Sequence, residues 1–275
     1  MPRNLNYFIS AFIPNNKAHS VQILKMCDAL SRFYKVNLIC KNLKNENIKD
    51  NFNLKNNFQI ISINICKIKI INLLYKIFYL FIYKFKKDDI LYTRDVHYAF
   101  FGLLFYKNIY LELHQCYLKK TVFSYFLLKV LFKTKKTKII FISNALYKIY
   151  KLSLNKPVNF EIAHDAAEDF FSKNIIKFRK DPKKISVGYC GHLYRGRGIE
   201  LLIKLAKAKK NINFNILGGF LSDKEKILLN NKLSKNIFFY PHVNYKMISR
   251  FLLSNDILIA PYQKKLGGVG DIDTA

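Results

Sequence analysis

Apolar and polar residues follow two patterns in the first half of the chain. Short apolar runs rich in β-branched and aromatic residues are typical of buried strands, whereas apolar residues at helical spacing predict amphipathic helices. The strand candidates are residues 5–9, 35–40, 58–65, 89–93, 110–114 and 139–144. The helix candidates are residues 20–33, 67–87, 98–106, 122–138 and 145–152. Alternation of strand and helix gives βαβ units, which predict a parallel sheet.

The second half repeats this alternation after a polar, lysine-rich stretch at residues 170–184. Its strand candidates are residues 185–190, 212–217, 236–240 and 256–262. Its helix candidates are residues 199–207, 222–233 and 245–253. A chain of 275 residues is long enough for two domains. The sequence therefore predicts an α/β protein with two domains, residues 1–170 and residues 171–275.

Two helix candidates, residues 67–87 and 122–138, are strongly apolar and yet carry several lysines. A membrane span needs about 20 apolar residues with few charges, so neither segment fits one. In the first segment the polar residues form a narrow stripe of Lys69, Asn72, Lys76, Tyr79, Tyr83 and Lys86 or Lys87. Two interpretations stay open. The segments are either membrane-surface helices with lysines at anionic headgroups, or crossover helices packed on the sheet.

The net charge of the chain limits the classes of binding partner that are expected. The chain carries 47 Lys and Arg against 18 Asp and Glu, a formal net charge of +29. Such a balance favours an anionic partner, either nucleic acid, acidic lipid or a phosphorylated substrate. The lysines are spread through the sequence without a nucleic-acid-binding motif, so no nucleic-acid partner is expected. Five widely spaced cysteines and the absence of a signal-peptide pattern indicate reduced thiols and a cytoplasmic location.

The stretch 185–207 combines a strand, a glycine-rich loop and a helix. Its loop glycines and arginines are Gly191, Arg195, Gly196, Arg197 and Gly198. Glycines let the backbone approach a ligand closely, and the helix start presents free N–H groups. Arginines add forked hydrogen bonds to a phosphate. The pattern predicts an anion site, although an ordinary βα loop with solvated arginines would show the same residues.

The loop sequence GYCGHLYRGRGIELL resembles the nucleotide domain of retaining GT-B glycosyltransferases of family 4, whose pattern is roughly G-x-x-G-R-L-x-x-x-K-G. In that family the Arg and the Lys hold the diphosphate of a sugar nucleotide. Here His192 stands at the Arg position and Arg197 at the Lys position, with Arg195 close by. Arg197 keeps a permanent charge, whereas His192 is fully charged only when protonated. The resemblance implies two Rossmann-like domains facing across a cleft, the second incomplete.

Other segments extend the resemblance. DILYTRD and LELHQ are similar to a family strand that ends in E-x-H, whose His contacts the donor sugar; this implies that role for His114 and places Arg94 near the cleft. IPNNKAHS resembles the first family loop and places Lys17 and His19 on the acceptor side. Without the resemblance, His19 is a residue that caps or packs at a helix start, and His114 is a hydrogen-bonded loop residue.

The second domain follows the family order of strands, FNILGG, IFFYPHV and DILIAPY. In the family, the glycine turn and the residues after the third strand line the nucleotide base and ribose. This implies a donor-binding role for Gly218, Gly219, His242 and Val243. The sequence given ends at Ala275, before the family's E-x7-E helix, so a C-terminally truncated chain is expected. Asp271 and Asp273 resemble a D-x-D metal motif outside its usual context, and no metal or cofactor is expected.

The resemblance implies a retaining hexosyltransferase that moves a sugar from a nucleotide-sugar donor to a cell-envelope glycan or lipid-linked acceptor. Positioned cations and helix amides would stabilise the leaving diphosphate, with Arg197 and His114 as the catalytic residues. The basic apolar helices suggest a peripheral site on the inner face of the cell membrane. Two alternatives stay open: an inactive, membrane-associated GT-B fragment, and a UDP-sugar 2-epimerase of the same fold.

Overall fold

The computed structural model describes residues 3–15, 18–42, 48–64, 68–84, 88–118, 122–167, 183–194, 196–219, 222, 233–243 and 245–263. The chain divides into two compact units, Met1–Ala166 and Ala167–Asp273. Most of the predicted linker at residues 170–184 lies outside the described residues.

The first unit is built on a seven-stranded parallel sheet with the strand order β3-β2-β1-β4-β5-β6-β7. Its strands are β1 Asn4–Ile13, β2 Lys35–Asn42, β3 Gln59–Ser62, β4 Ile90–Thr93, β5 Asn108–Leu113, β6 Thr137–Phe141 and β7 Phe160–Ile162. Both faces of the central strands are covered, which explains why they are continuous apolar runs. The three residues of β7 are only partly buried or exposed, so no apolar run predicted that strand.

Six helices cover the two faces of this sheet: α1 Ala18–Leu30, α2 Ile48–Asn51, α3 Lys69–Ile82, α4 Val96–Gly102, α5 Val122–Lys133 and α6 Asn144–Leu154. One core joins the sheet to α3, α4, α5 and α6, through residues such as Leu80, Tyr98, Leu128 and Tyr150. A second core on the opposite face contains Leu24 and Cys27 of α1. The predicted parallel α/β architecture is therefore confirmed.

Side-chain caps set the starts of two helices. Asp95 accepts a hydrogen bond from His97 N at 2.9 Å, so α4 begins at Val96, two residues before the predicted start. Ser143 accepts from Leu146 N at 3.1 Å and caps α6. The helix predicted at residues 98–106 ends at Gly102 and is followed by a turn.

The second unit contains a four-stranded parallel sheet with the order β10-β9-β8-β11. Its elements are β8 Ile185–Cys190, α7 Ile199–Ala208, β9 Ile212–Leu217, β10 Ile237–Tyr240, α8 Tyr245–Leu253 and β11 Ile257–Leu258. The helix predicted at residues 222–233 lies almost wholly outside the described residues. The strand predicted at residues 256–262 shortens to two exposed residues at the sheet edge. Pro261 follows it and has no N–H to extend a ladder.

The core of the second unit lies between the sheet and α7. Ile199, Leu202, Ile203 and Ala206 are buried on one side of this helix, whereas Glu200, Lys204 and Lys207 are exposed. This is the ordinary amphipathic arrangement. Within the described ranges, the chain has no helix with the length and apolar content needed to cross a bilayer.

Candidate functional site

Polar side chains of the first unit collect where its parallel strands end. Arg94 follows β4, His114 follows β5, and Asp165 lies shortly after β7. Because the carboxyl ends of parallel strands share one edge of a sheet, these residues come together, and this edge is where open α/β sheets bind ligands. The structure therefore places Arg94 and His114, both predicted site residues, in one cluster.

Glu112, a buried carboxylate near the end of β5, organises the cluster. It accepts hydrogen bonds from Tyr92 Oη at 2.6 Å, from Arg94 Nε at 3.3 Å and from Arg94 Nη2 at 3.2 Å. His114 Nε2 lies 2.5 Å from Glu112 Oε1, the oxygen that also accepts from Arg94 Nη2. Arg94 Nη1 also donates to Gln22 Oε1 at 3.1 Å. The Arg94 charge is thus matched by a charge-assisted hydrogen-bond network.

The network keeps Glu112 ionised. Burial raises the pKa of this carboxyl group, but the hydrogen bond to His114 and the charge of Arg94 outweigh burial and lower the pKa to about 2. Burial alone would have favoured the neutral acid, so the partners decide the charge state. The result is a fixed carboxylate that holds the His114 ring in one orientation.

Glu112, His114 and Asp165 also bring one possible metal-ligand atom each to within 4.8 Å of one another. A divalent cation prefers ligands that carry unneutralised negative charge. Here Glu112 is already paired with Arg94, whose guanidinium repels a second cation at the same carboxylate. The donor set therefore fits an organic ligand with hydroxyl groups better than a metal ion.

The helix α1 contributes one contact to this cluster that the sequence did not predict. Gln22 hydrogen-bonds both Arg94 and Asp165. The predicted acceptor-side residue His19 lies in the first turn of the same helix, with Nε2 3.3 Å from Asn15 Nδ2. Lys17, the other predicted acceptor-side residue, lies outside the described residues.

The second unit gathers its candidate residues at the carboxyl edge of its own sheet. Gly191 N, after β8, donates to Leu217 O at 3.0 Å, and Gly218 N, after β9, donates to Tyr240 O at 3.3 Å. These bonds tie the ends of three neighbouring strands together. His242 and Val243 follow β10 at the same edge, where His242 is exposed.

Two glycines are required by the backbone of this edge. Gly198 caps α7 with φ of 76°, and a Cβ there would lie 2.0 Å from Pro261 O. Gly219 also has φ of 76°, and a Cβ there would lie 2.3 Å from Leu193 Cγ. Only glycine adopts these positive φ values without strain. Because Gly198 offers no side chain, no N-cap side chain occupies the amides at the start of α7, although Leu201 N and Leu202 N donate to Gly198 O.

Arg197 lies between two aromatic rings at the start of this helix. Its Cζ is 4.5 Å from the ring centroid of Tyr262 and 4.9 Å from that of Tyr194, and its Nη2 donates to Tyr194 Oη at 2.6 Å. Burial lowers the pKa of Arg197, but the Tyr194 hydrogen bond and the neighbouring phenol groups together outweigh burial, and the pKa is raised overall. In the part of the chain that the structure describes, no carboxylate forms an ion pair with this guanidinium.

The remaining loop residues surround this cation. Gly196 O accepts from Gln263 N at 3.0 Å, and the ring of His192 stacks on Tyr194 at 5.5 Å. Arg195 lies outside the described residues. The structure thus brings Gly191, His192, Gly196, Arg197, Gly198, Gly218 and Gly219 to one edge. A permanent cation, open helix amides and close-packed glycines form a site suited to an anion such as a phosphate.

Comparison with known proteins agrees with this geometry. The family model described as glycosyl transferases group 1 matches residues 170–270. None of the curated proteins is significantly similar to the sequence.

Solved structures share the fold at low sequence identity. Sucrose-phosphate synthase from Thermosynechococcus elongatus is 10% identical with a TM-score of 0.68, covering 98% of this chain and 77% of its own. A glycosyltransferase from Rickettsia africae ESF-5 is 13% identical with a TM-score of 0.70, covering 96% and 74%. Anabaena HepE, solved with UDP and glucose, is 12% identical with a TM-score of 0.60, covering 94% and 73%.

These similarities establish the architecture expected from the sequence. Identities of 10–13% show the fold alone, and that fold is the α/β GT-B arrangement with parallel sheets. The family match falls on the second unit, which contains the glycine loop and Arg197. The chain therefore has a GT-B fold, and the family match supports a glycosyltransferase built on it.

Proposed function

We propose that this chain is a retaining GT-B glycosyltransferase of family 4 that transfers a hexose from a nucleotide sugar to a cell-envelope glycan or a lipid-linked acceptor. The observation that carries the proposal is Arg197. It is a permanent cation beside the start of α7, fixed between Tyr194 and Tyr262 and paired with no carboxylate in the described ranges. No described residue supplies an anion to balance this cation, and a diphosphate would supply one.

The donor diphosphate is proposed to bind at this edge of the second unit. Arg197 donates to its oxygens, and the amides at the start of α7 add hydrogen bonds along the helix dipole. Gly198 has no Cβ, so no side-chain atoms of its own cover this backbone. Gly218, Gly219, His242 and Val243 follow the neighbouring strands and are the candidates for contacts to base and ribose. HepE, solved with UDP and glucose, supports a nucleotide-sugar donor.

The transfer step needs stabilisation of a leaving diphosphate. As the glycosidic bond to the phosphate breaks, the sugar gains oxocarbenium character and the phosphate oxygen gains negative charge. Arg197 and the α7 amides are preorganised donors for that charge, and such donors act without reorganisation during the reaction. The resemblance to family 4 supports retention of configuration.

His114 is proposed to orient the donor sugar. Glu112 engages its Nε2, which favours the tautomer with the proton on Nε2. Nδ1 is then the ring nitrogen that can accept a hydrogen bond from a sugar hydroxyl. Arg94 and Tyr92 act through Glu112 as positioning residues, because both donate to the carboxylate that holds the imidazole.

Calorimetric titration with UDP, GDP, ADP and their common glucose and galactose conjugates tests the proposal. We expect one base to give saturable binding and Arg197→Ala to weaken that binding about tenfold or more. The matched control is Lys207→Ala, which removes an exposed charge from the same helix and should leave binding unchanged. Lack of binding by every nucleotide, or equal binding by Arg197→Ala, would contradict the proposal.

A further inference from the structure

Helix α3 packs with its polar residues toward the protein. Lys76 is 8% exposed, and its Nζ lies 2.5 Å from Asp95 Oδ2 and 4.9 Å from the ring centroid of Tyr98. Asn72 is also on the inner side and partly buried. An amphipathic surface helix normally does the reverse, as α7 does in the second unit. The inward polar stripe leaves the apolar side of α3 facing outward.

That outward side is continuous along the helix. Leu74, Phe78 and Phe81 are 60%, 54% and 65% exposed, at spacings that place them on one helical face. The exposed large apolar residues of α3 are Ile70, Ile71, Leu74, Tyr75, Phe78, Phe81 and Ile82. We call this set the outer face of α3. Scattered exposed apolar residues need no explanation, but a contiguous set of this kind marks an interaction surface.

Helix α5 adds exposed apolar residues on the same side of the sheet. Val122, Phe123 and Phe126 are exposed in its first half. Helix α4 lies between α3 and α5 and contacts both, and the rings of His97 and Phe123 are 5.8 Å apart. Lys129 follows Phe126 by three positions and is exposed on the same helix. The apolar surface therefore has a basic neighbour.

Charge around these helices is almost entirely positive. Between residues 68 and 138 the sequence has only four acidic residues, Asp88, Asp89, Asp95 and Glu112. Asp89 is buried, Asp95 is paired with Lys76, and Glu112 is paired with Arg94. The exposed lysines on and beside α5 are Lys107, Lys129, Lys133, Lys135 and Lys136. An apolar surface bordered by lysines is complementary to an anionic interface.

We propose that the outer face of α3, together with the exposed first half of α5, inserts into the surface of a bilayer that contains anionic lipid. Aromatic and aliphatic side chains then enter the headgroup–acyl boundary, and the lysines lie at anionic headgroups. A second copy of the chain is a poorer occupant because it would place lysines against lysines. The inference names the protein surface that would contact the membrane, a location that the sequence only suggested. It does not depend on the donor loop of the second unit.

Vesicle co-sedimentation of the 275-residue chain tests the surface. With vesicles of phosphatidylcholine and phosphatidylglycerol in equal parts, Phe78→Glu should weaken binding about tenfold or more, because it removes an inserted ring and adds like charge. Phe33→Glu is the matched control, since Phe33 is equally large and 71% exposed but follows α1 on the opposite face. It should bind as the unchanged chain does.

Two further arms complete the experiment. Lys129→Glu combined with Lys133→Glu should weaken binding to the anionic vesicles, and vesicles of phosphatidylcholine alone should bind less of the unchanged chain. The inference is overturned if the chain ignores anionic vesicles, or if Phe78→Glu and Phe33→Glu behave alike. A stable dimer in sedimentation velocity that Phe78→Glu dissociates would also overturn it, in favour of a second copy. Nucleotide calorimetry without vesicles tests the donor proposal separately.

Discussion

Arg94 and Arg197 are both partly buried arginines at the carboxyl edge of a parallel sheet, and their surroundings differ in one respect. Arg94 is matched by Glu112, which lies 3.2 Å from its Nη2. Arg197 has two aromatic rings and a phenol hydroxyl as its neighbours, with no acidic partner in the described ranges. The first arrangement balances the charge inside the protein, and we propose that a bound ligand balances the second.

We expect this difference to distinguish an arginine with a structural role from one that binds a ligand. Removing one member of a buried ion pair leaves an uncompensated charge, so it damages folding. Removing a cation held by aromatic rings and one phenol hydroxyl costs cation–π contacts and one hydrogen bond, so we expect it mainly to damage ligand binding. Breaking the Arg94 ion pair should therefore mainly lower the free energy of unfolding. Removing Arg197 should mainly weaken donor binding.

The largest effect is expected for Glu112→Ala. It leaves Arg94 buried without its carboxylate, and the free energy of unfolding should fall by about 3–5 kcal/mol. Chemical denaturation measures the change. Glu161→Ala is the matched control, because Glu161 pairs with Lys138 at an exposed position and should cost no more than about 1 kcal/mol. Equal losses in the two variants would mean that the Glu112 network carries no special stability.

Arg197→Ala is expected to have its main effect on turnover. Loss of one preorganised donor to a developing anion lowers kcat by about 10²- to 10³-fold. The free energy of unfolding should fall by about 2 kcal/mol or less, because the ring contacts and one hydrogen bond to Tyr194 are lost and no buried charge is left behind. Transfer or donor hydrolysis rates, measured beside a denaturation curve, test both halves. A variant that unfolds easily and retains its rate would reverse the assignment of the two arginines.

The next largest effect is the loss of stability at low pH that comes from protonation of Glu112. Its pKa is lowered from 4.5 to about 2 in the folded protein, so its contribution is fully present above pH 4.5 and is lost as the pH falls toward 2. A depression of this size is worth about 3 kcal/mol. Between pH 5 and 2.5, the free energy of unfolding should fall less steeply with pH in Glu112→Gln than in the unchanged chain. Parallel curves would show that other carboxyl groups dominate acid unfolding.

Gly198→Ala should lower the free energy of unfolding less than loss of the Glu112 carboxylate does. Its φ of 76° and the approach of Pro261 O both resist a Cβ, and we expect a loss of about 2 kcal/mol together with weaker donor binding. The matched variant is Ala208→Gly at the exposed end of α7, where a change below about 1 kcal/mol is expected. A neutral Gly198→Ala would show that the loop readily rearranges.

Much of the fold could be predicted because a parallel sheet buried on both sides makes its strands apolar runs. That logic found β8 and β9 to the residue. It missed β7, whose three residues are not fully buried, and it made β11 too long, because only Ile257–Leu258 of the apolar run at residues 256–262 form the strand. Helix boundaries depended on caps, and Asp95 moved the start of α4.

The candidate site was less predictable. The glycine loop is local, so its sequence shows it, and Arg197 could be nominated from the composition of the loop and its resemblance to family 4. Its contact with Tyr262 could not, because the chain returns to the loop only after β11. Glu112 could have been predicted as a site residue, because an acidic residue inside an apolar strand is unusual. The polar stripe of α3 was visible in the sequence, but its inward direction depends on Asp95, a residue from another element.

The most direct test of the central claim compares a nucleoside with its diphosphate in calorimetric titrations of the unchanged chain and Arg197→Ala. If Arg197 is a diphosphate-binding cation, the substitution leaves nucleoside affinity unchanged and weakens diphosphate affinity about tenfold or more. This pairing cancels any general loss of folded protein, which would weaken both ligands equally. Equal weakening of both, or of neither, would contradict the account.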